Sequence, residues 1–375
     1  IEGMKNLLTV GIVGSYGKTS TKEFLFKILS RKFNVLKTKN HQNSEIAIAK
    51  TVLEELKKNH QVFIAEIGAY NKGQVAFLAK IIQPKVGLIT GVNEQHLATF
   101  GSMENLLASE GGGELINFLS EKNGFLFLNG NNFYCQEIFQ KKTEIKKIIT
   151  FVAFPGKEIP RLRFDFLVKD IKIEKLRLDF EVETKKEKMR FSVRLPGFHH
   201  LENLILAIAC AREFFKISWE EIREVLENIS PQDSSFKFIE TKKGFFILDS
   251  TYSANPQSVI SHLDYLSLFE KKKILVFPGL IELGRKTKEI HEKIGEKIGQ
   301  TCDLLILTND DFLEEIKKGI QKYGWEKGRI LLIEDPKKIF EKIREILEAG
   351  DVVLLEGRMP SLISFLLKKY GFQNH

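Results

Sequence analysis

The chain has 375 residues, a length that predicts two or three domains. Its 43% of hydrophobic residues, 27 glycines and 9 prolines exclude a disordered or collagen-like chain. The net charge of +8 comes from basic residues spread along the sequence, so we expect anionic small-molecule ligands and no nucleic acid. Three widely spaced cysteines predict no disulfide framework, and no apolar run reaches the ~18 residues of a membrane span, which favours a cytoplasmic protein.

Short apolar runs alternate with helical patterns through the first third of the chain. We predict strands at 8–13, 33–37, 62–66, 86–90 and 124–128, and helices at 18–29, 44–56, 72–81 and 103–119. Strands separated by helices of this length are typical of βαβ units in a parallel sheet. Residues 161–195 instead alternate apolar and charged side chains with period two, which predicts a small antiparallel sheet.

The second half of the chain returns to strand–helix alternation after two helices, predicted at 201–215 and 219–229. Later strands are predicted at 245–249, 273–277, 304–307, 330–333 and 352–355, with helices from 256 and at 288–299, 311–323, 337–349 and 361–370. This pattern indicates a Rossmann-like domain. We therefore predict an α/β protein of two domains. The first, at residues 1–234, has a mainly parallel sheet and a small antiparallel sheet, and the second, at residues 235–375, is Rossmann-like.

A glycine-rich segment, VGIVGSYGKTS at residues 10–20, joins the first predicted strand to the first predicted helix. Gly14 and Gly17 allow a close backbone approach that a Cβ would block. The loop amides and the helix N-terminus predict a polyphosphate site, with Lys18 on the terminal phosphates and the Thr19 hydroxyl on Mg²⁺. The general G-x-x-x-x-G-K-[ST] pattern has its first glycine where this chain has Ile12, so a glycine-rich turn with a chance Lys-Thr pair is the alternative.

Together, five segments resemble the motifs of the Mur ligase superfamily. They are GSYGKTS at 14–20, FIAEIGA at 63–69, TGVNEQHL at 90–97 with FGS at 100–102, GFHHLEN at 197–203 and DSTYSANP at 249–256. The last segment, with PGLIELG at 278–284 and His291, most resembles the branch that adds D-alanyl-D-alanine to UDP-MurNAc-tripeptide. The resemblance covers almost the whole chain and implies that family's central ATP-binding and C-terminal domains, with no counterpart of its N-terminal UDP-binding domain.

The resemblance implies an ATP-dependent amide ligase of peptidoglycan precursor synthesis that works through an acyl phosphate. Its implied cofactors are ATP and Mg²⁺, and its implied partners are a UDP-MurNAc-peptide and D-Ala-D-Ala. We expect a monomer, associated with a membrane only if an upstream segment provides the anchor.

The family motifs also imply roles for individual residues. They imply catalytic roles for Lys18, His96 and Glu110, metal binding by Thr19, Glu66 and His96, nucleotide binding by Gly14, Ser15, Gly17, Lys18, Thr19, Ser20, His199, Asn203, Asp249 and Asn255, and substrate contacts by Asn43, Tyr252 and Arg358. Structural alternatives stay open for several of them. Glu66 is alternatively a solvated strand end, His96 a loop histidine and Arg358 a surface arginine, while Ser44 beside Asn43 is a candidate helix N-cap.

This sequence departs from the family pattern at three points. The carbamylated lysine that helps the family hold a second Mg²⁺ falls on Glu110 when counted forward and on Gly112 when counted back. We hypothesise that the Glu110 carboxylate takes its place, although three successive glycines at 111–113 each weaken a helix by about 1 kcal/mol and favour a loop there. A nucleotide-contacting Gly-Arg is replaced by Ser-Ser at 234–235. The family's Lys-Gly-Ser is Glu-Gly-Arg at 356–358, where Arg358 retains the geometry to bind a carboxylate.

Two other functions remain open from the sequence. Another amide ligase of the superfamily, folylpolyglutamate-like or specific for a different wall precursor, is the first, although the motif at 249–256 argues against it. A non-catalytic nucleotide-binding module is the second, supported by the missing lysine and by the missing N-terminal domain.

Overall fold

The computed structural model describes residues 3–4, 6–39, 42–93, 96–141, 144–174, 176–229, 236–251, 254–325 and 328–372, and of His199 the backbone alone. The chain forms two compact units. Unit 1 consists mainly of residues up to 229, and unit 2 mainly of residues from 236 onward. The predicted domain boundary at 234/235 lies outside the described residues, as does Tyr252.

Unit 1 is built on one nine-stranded sheet of order β2-β3-β1-β4-β5-β6-β7-β8-β9. Its strands are β1 (Leu8–Val13), β2 (Val35–Lys37), β3 (Val62–Glu66), β4 (Val86–Ile89), β5 (Phe125–Asn129), β6 (Lys146–Val152), β7 (Phe166–Glu174), β8 (Arg177–Glu183) and β9 (Lys188–Val193). The pairs from β2 through β7 are parallel. The side chains of β3 and β4 are buried throughout, as expected for strands covered on both faces.

The region predicted to be antiparallel continues this same sheet. Strands β8 and β9 are antiparallel, and Phe180 lies opposite Phe191. Leu178, Phe180 and Val182 are buried while the residues between them are partly exposed, which is the predicted period-two pattern. Because β7 pairs in parallel with β6, the alternating strands form one edge of the nine-stranded sheet.

Nine helices are described in unit 1. They are α1 (Lys18–Leu29), α2 (Glu45–Glu54), α3 (Gln74–Ile82), α4 (Leu97–Phe100), α5 (Met103–Ala108), α6 (Gly113–Glu121), α7 (Phe133–Gln140), α8 (His199–Glu213) and α9 (Trp219–Glu227). The single helix predicted at 103–119 is wrong, because the chain breaks at 109–112, where Gly112 takes a left-handed φ of 84°. We predicted no element between 129 and 160, where β6 and the short helix α7 lie.

Unit 2 contains a six-stranded sheet of order β10-β11-β15-β12-β13-β14. Its strands are β10 (Lys237–Glu240), β11 (Phe246–Ser250), β12 (Lys273–Phe277), β13 (Leu304–Leu307), β14 (Ile330–Leu332) and β15 (Val352–Glu356), and its helices are α10 (Pro256–Leu266), α11 (Thr287–Thr301), α12 (Leu313–Gln321), α13 (Pro336–Ile346) and α14 (Ser361–Phe372). All neighbouring strands are parallel except β10, an edge strand that the sequence did not predict. This is the predicted Rossmann-like arrangement. Among the described helices of the chain, none combines the length and the apolar character that crossing a membrane requires.

Candidate active site

The phosphate loop of unit 1 connects the end of β1 to the start of α1. Gly14 has a φ of 138°, and a Cβ there would lie 2.1 Å from the Thr90 hydroxyl oxygen. Gly17, with a φ of 76°, caps α1, and a Cβ on it would lie 2.2 Å from the side-chain oxygen of Asn203. Both glycines are therefore required by their positive φ and by close contacts with Thr90 and Asn203, while their approach to a polyphosphate stays a prediction. The Lys18 amino group donates to the Gly14 carbonyl at 2.5 Å and so lies across the loop.

Glu66 ends β3, the strand beside β1, and its carboxylate is buried next to the loop. Oε2 accepts hydrogen bonds from the Thr19 hydroxyl at 2.9 Å and from the Lys22 amino group at 3.0 Å. Oε1 accepts from the Asn43 side-chain amide at 3.1 Å. The Glu66 backbone N–H donates to the Thr38 hydroxyl at 3.1 Å, which fixes the end of the strand. The alternative of a solvated strand end for Glu66 is therefore wrong.

The donor set around Glu66 fits a hard divalent cation. Mg²⁺ in nucleotide sites is usually held by one or two protein oxygens together with substrate phosphates. The Thr19 hydroxyl and the Glu66 carboxylate supply two such oxygens beside the phosphate loop. No cluster of three or more His, Cys, Asp or Glu side chains suited to a metal occurs within the described residues.

His96 and Glu110 lie side by side in a second polar cluster of unit 1. His96 precedes α4 in a left-handed conformation with a φ of 69°. Its Nδ1 lies 3.1 and 3.3 Å from the two carboxylate oxygens of Glu110. Glu110 occupies the break between α5 and α6, and its side chain is only 4% exposed. Gly111 and Gly112 thus lie in a break of the helix, as the alternative anticipated, and Gly113 begins α6. The same break contains the buried side chain of Glu110.

The remaining predicted residues of unit 1 surround the loop. The Thr21 hydroxyl donates to the Asn203 side-chain oxygen at 3.3 Å, so α8 contacts the first turn of α1. The Ser15 backbone N–H donates to the Gly91 carbonyl at 2.8 Å, and Ser20 is buried within α1. Ser44 accepts a hydrogen bond from Ala47 N as the N-cap of α2, which confirms that alternative. His199 begins α8, and its side chain lies outside the description.

In unit 2, Asp249 lies near the end of β11, and three side chains donate hydrogen bonds to its carboxylate. Its carboxylate accepts from Ser364 at 2.6 Å, from Lys368 at 2.8 Å and from the Thr251 hydroxyl at 2.8 Å. Burial opposes the charge, but these hydrogen bonds and the Lys368 ammonium hold the pKa of Asp249 below its usual value. A concavity of about 490 Å³ opens here, lined by Asp249, Thr251, Ser361, Leu362, Ser364, Phe365 and Lys368.

Other predicted residues of unit 2 are placed separately. Asn255 is the N-cap of α10, where its side-chain oxygen accepts from Ser258 N at 3.0 Å. Arg358 is exposed in the turn after β15. Glu356, just before that turn, is fully buried and lies 2.6 Å from His262 Nδ1. Burial raises the pKa of Glu356 and lowers that of His262 to about 3, so burial favours the neutral form of each group.

Comparison with known proteins accounts for both units. A family model described as Mur ligase middle domain matches residues 12–211, which is more than half of the chain. The chain belongs to the Mur ligase family. A second model, Mur ligase, glutamate ligase domain, matches residues 236–359.

Individual members of the Mur ligase family are similar along most of the chain. The UDP-N-acetylmuramoyl-tripeptide–D-alanyl-D-alanine ligase of Bacillus subtilis is 26% identical over 350 residues, which cover 93% of this chain and 72% of that protein. A crystal structure of MurF from Acinetobacter baumannii matches with a TM-score of 0.81 at 21% identity, covering 98% of this chain and 77% of that one. MurF ligase from Thermotoga maritima in complex with ADP matches with a TM-score of 0.79 at 24% identity, covering 98% and 81%.

These findings confirm the resemblance to the family and the predicted fold, and the relatives' names agree with the D-alanyl-D-alanine-adding branch. The sequence analysis missed Lys22, which is fully buried and paired with Glu66. One signal was available, since Lys22 lies four residues after Lys18 and therefore on the same face of α1. The roles assigned to individual site residues remain predictions.

Proposed function

We propose that this chain is an ATP-dependent amide ligase that joins D-Ala-D-Ala to the terminal carboxylate of UDP-MurNAc-tripeptide. The observation that supports it best is the Glu66 carboxylate, 2.9 Å from the Thr19 hydroxyl at the mouth of a glycine-rich phosphate loop. Relatives that bear the name of this ligase align with 93% of the chain and include both units. We further propose a cytoplasmic monomer with domains at residues 1–234 and 235–375.

In the proposed reaction, a carboxylate oxygen of the tripeptide attacks the γ-phosphorus of ATP, and ADP leaves. The amine of D-Ala-D-Ala then attacks the acyl carbon, phosphate leaves with that oxygen, and the amine loses a proton as the amide forms. Two anions must approach each other in the first step, so positive charge and oriented amides are needed. The loop amides and Lys18 orient the phosphates, while Ser15 and Ser20 support the loop and the start of α1.

Thr19 and Glu66 would hold Mg²⁺, which neutralises phosphate charge when bound. We propose that Lys22 contributes by holding the buried Glu66 carboxylate in place, since its amino group is 3.0 Å away. Asn43 donates to the other oxygen of the same carboxylate and so is placed beside the site proposed for the phosphates and the substrate.

We propose that Glu110 replaces the carbamylated lysine of the family. Its carboxyl group is buried in the bend between α5 and α6 and contacts His96 Nδ1 at 3.1 Å. Carboxylates that hydrogen-bond a ligating histidine fix its ring orientation and tune the metal, so His96 and Glu110 would act as a pair.

Glu110→Gln tests this assignment, with the exposed Glu104→Gln on the same segment as its control. Mg²⁺ should tighten ADP binding by a factor about tenfold smaller in Glu110→Gln than in the wild type. In Glu104→Gln this factor should be unchanged. Calorimetric titration of ADP at several Mg²⁺ concentrations measures this without turnover. An unchanged metal dependence in Glu110→Gln contradicts the role.

We assign nucleotide contacts to His199, Asn203, Asp249 and Asn255, and substrate contacts to Tyr252 and Arg358. The exposed Arg358 guanidinium has the planar geometry that binds a carboxylate with two parallel hydrogen bonds, which suits the dipeptide carboxylate. Asn255 also caps α10, so any nucleotide contact it makes would come in addition to that structural role.

Phosphate release tests the proposed function. We expect release when ATP, UDP-MurNAc-tripeptide and D-Ala-D-Ala are all present, and little release when one of them is omitted. Release with a folate and glutamate instead would identify another amide ligase of the family. ADP binding without phosphate release with any acceptor would contradict the proposal and favour a non-catalytic nucleotide-binding module.

A further inference from the structure

The phosphate loop carries a large aromatic side chain, Tyr16, between Ser15 and Gly17. The ring lies against the backbone of Gly91, just after β4. A Cβ on Gly91 would lie 2.3 Å from the Tyr16 hydroxyl oxygen and 2.4 Å from Cζ. The absence of a side chain at Gly91 is therefore what admits the ring.

The hydroxyl end of Tyr16 meets a polar partner from a third segment. The Asn132 side-chain amide donates to the Tyr16 hydroxyl at 3.4 Å and to the Val92 carbonyl at 2.8 Å. Asn132 is itself held as the N-cap of α7, where its side-chain oxygen accepts from Cys135 N. Burial raises the pKa of Tyr16 well above its usual value, so the hydroxyl stays neutral and remains a hydrogen-bonding group.

The backbone of the loop is fastened to the same segment after β4. The Thr90 hydroxyl donates to the Tyr16 carbonyl, and the Ser15 N–H donates to the Gly91 carbonyl at 2.8 Å. Asn129 donates to the Thr90 carbonyl and to Glu202, both at 2.8 Å. The neighbour of Glu202 on α8 is Asn203, whose side-chain oxygen lies against Gly17, so this network reaches both ends of the Tyr16–Gly17 step.

We propose that Tyr16 is a positioning residue that locks the phosphate loop by seating its ring on Gly91 and its hydroxyl on Asn132. A loop with glycines at 14 and 17 has many conformations to lose when it binds phosphates. A side chain that fixes the loop beforehand lowers that entropic cost of binding. The inference rests on the proposed function, because it assigns the loop a nucleotide polyphosphate as ligand.

The test compares Tyr16→Ala and Tyr16→Phe with Tyr370→Ala, which removes a half-buried aromatic ring from α14 in unit 2. ADP affinity with Mg²⁺ is measured by calorimetry, and amide hydrogen exchange of residues 14–19 is measured without nucleotide. We expect Tyr16→Ala to weaken ADP binding by about tenfold or more and to speed loop exchange by a similar factor, since small misplacements of binding groups are costly. Tyr16→Phe should show a smaller loss, and Tyr370→Ala should change neither quantity.

Gly91→Ala keeps the inference testable if Tyr16→Ala folds poorly. Its new methyl group would displace the Tyr16 ring, so the variant should reproduce the faster loop exchange. In the double variant with Tyr16→Phe, the effects of the two substitutions on loop exchange should be less than additive. Loop exchange and ADP affinity within about twofold of the wild type in both Tyr16→Ala and Gly91→Ala would overturn the inference. If the wild type itself binds no ADP, the proposed function fails, while loop exchange still decides the anchoring role.

Discussion

The two sheets of this protein end in similar pairs of opposite charge that have different surroundings. In unit 1, Glu66 lies 3.0 Å from Lys22, and neither side chain is exposed by more than 2%. In unit 2, Asp249 lies 2.8 Å from Lys368, whose side chain is 35% exposed. Glu66 also accepts from Thr19 of a phosphate loop, whereas Asp249 accepts from Ser364 of α14.

This contrast shows that the neighbouring residues determine which ligand an acidic side chain near the end of a parallel strand can bind. Ligands of open α/β sheets bind at the carboxyl ends of strands, so both residues are candidates from the sequence. Glu66 is combined with loop glycines, a hydroxyl and a fully buried cation, which suits a site for phosphates and Mg²⁺. Asp249 has its lysine partner at the rim of an open concavity, which suits contact with a polar ligand.

The largest effect is expected from removal of the loop cation. Under the proposed function, Lys18→Met should lower the rate of phosphate release by roughly 10²–10³-fold, because it deletes the positive charge proposed to meet the transferring phosphate. Lys32→Met, at an exposed position just beyond α1, is the matched control and should keep the wild-type rate. A rate for Lys18→Met within about threefold of the wild type would remove Lys18 from the mechanism.

The two acid–lysine pairs should differ in stability when each acid is neutralised. Glu66→Gln removes the carboxylate 3.0 Å from the buried Lys22 and leaves Glu23, at 3.8 Å, as a more distant acid, so we expect a loss of about 3–5 kcal/mol in the free energy of unfolding. Asp249→Asn should cost clearly less, because Lys368 reaches solvent. Urea unfolding measures both, followed by a fluorescence signal specific to each unit if the transitions separate. Equal losses would contradict the contrast between the pairs.

Arg358 should affect substrate binding more than catalytic rate. Arg358→Lys keeps the charge but loses the guanidinium geometry of the proposed carboxylate contact, so we expect the KM for D-Ala-D-Ala to rise by about tenfold with little change in kcat. Steady-state kinetics at saturating ATP separates the two constants. A variant with unchanged KM would return Arg358 to the structural alternative of a surface arginine.

The smallest effect is expected at Glu356, whose pKa is raised by burial. A raised pKa means that the stabilising contribution is complete below the ordinary value of 4.5 and is lost as pH rises toward the folded value. Glu356→Gln has no such loss, so its stability should improve relative to the wild type as pH rises from 4.5. At acidic pH the two proteins should differ by about 1 kcal/mol or less. A stability difference that does not vary with pH would contradict a raised pKa of Glu356.

Much of the fold could be predicted because it follows from local periodicity. Buried parallel strands give continuous apolar runs, so β1, β3, β12 and β13 were predicted at or near their observed bounds. The position of the helix break at 109–112 could not be predicted from the sequence. A run of glycines weakens a helix but does not determine at which residue the chain turns. Strand β10 was missed because it is a four-residue edge strand with half-exposed residues.

The site was predicted in part, for a related reason. Residues 14–20 and Glu66 follow from motif spacing and from the position of strand ends. Contacts such as Tyr16 with Gly91 and Asn132, or Lys22 with Glu66, join residues far apart in the chain, and no periodic pattern marks them. The contact of His262 with the buried Glu356 could likewise not be predicted, because the sequence pattern of a helix does not show which residue a histidine on it contacts.

The central claim is that the chain activates a carboxylate as an acyl phosphate, and oxygen-18 transfer tests it most directly. UDP-MurNAc-tripeptide labelled in its terminal carboxylate is incubated with ATP, Mg²⁺ and D-Ala-D-Ala, and the released phosphate is analysed by mass spectrometry. The account predicts that each phosphate released carries one labelled oxygen from the peptide. Phosphate released without label, in step with ATP consumption, would contradict it.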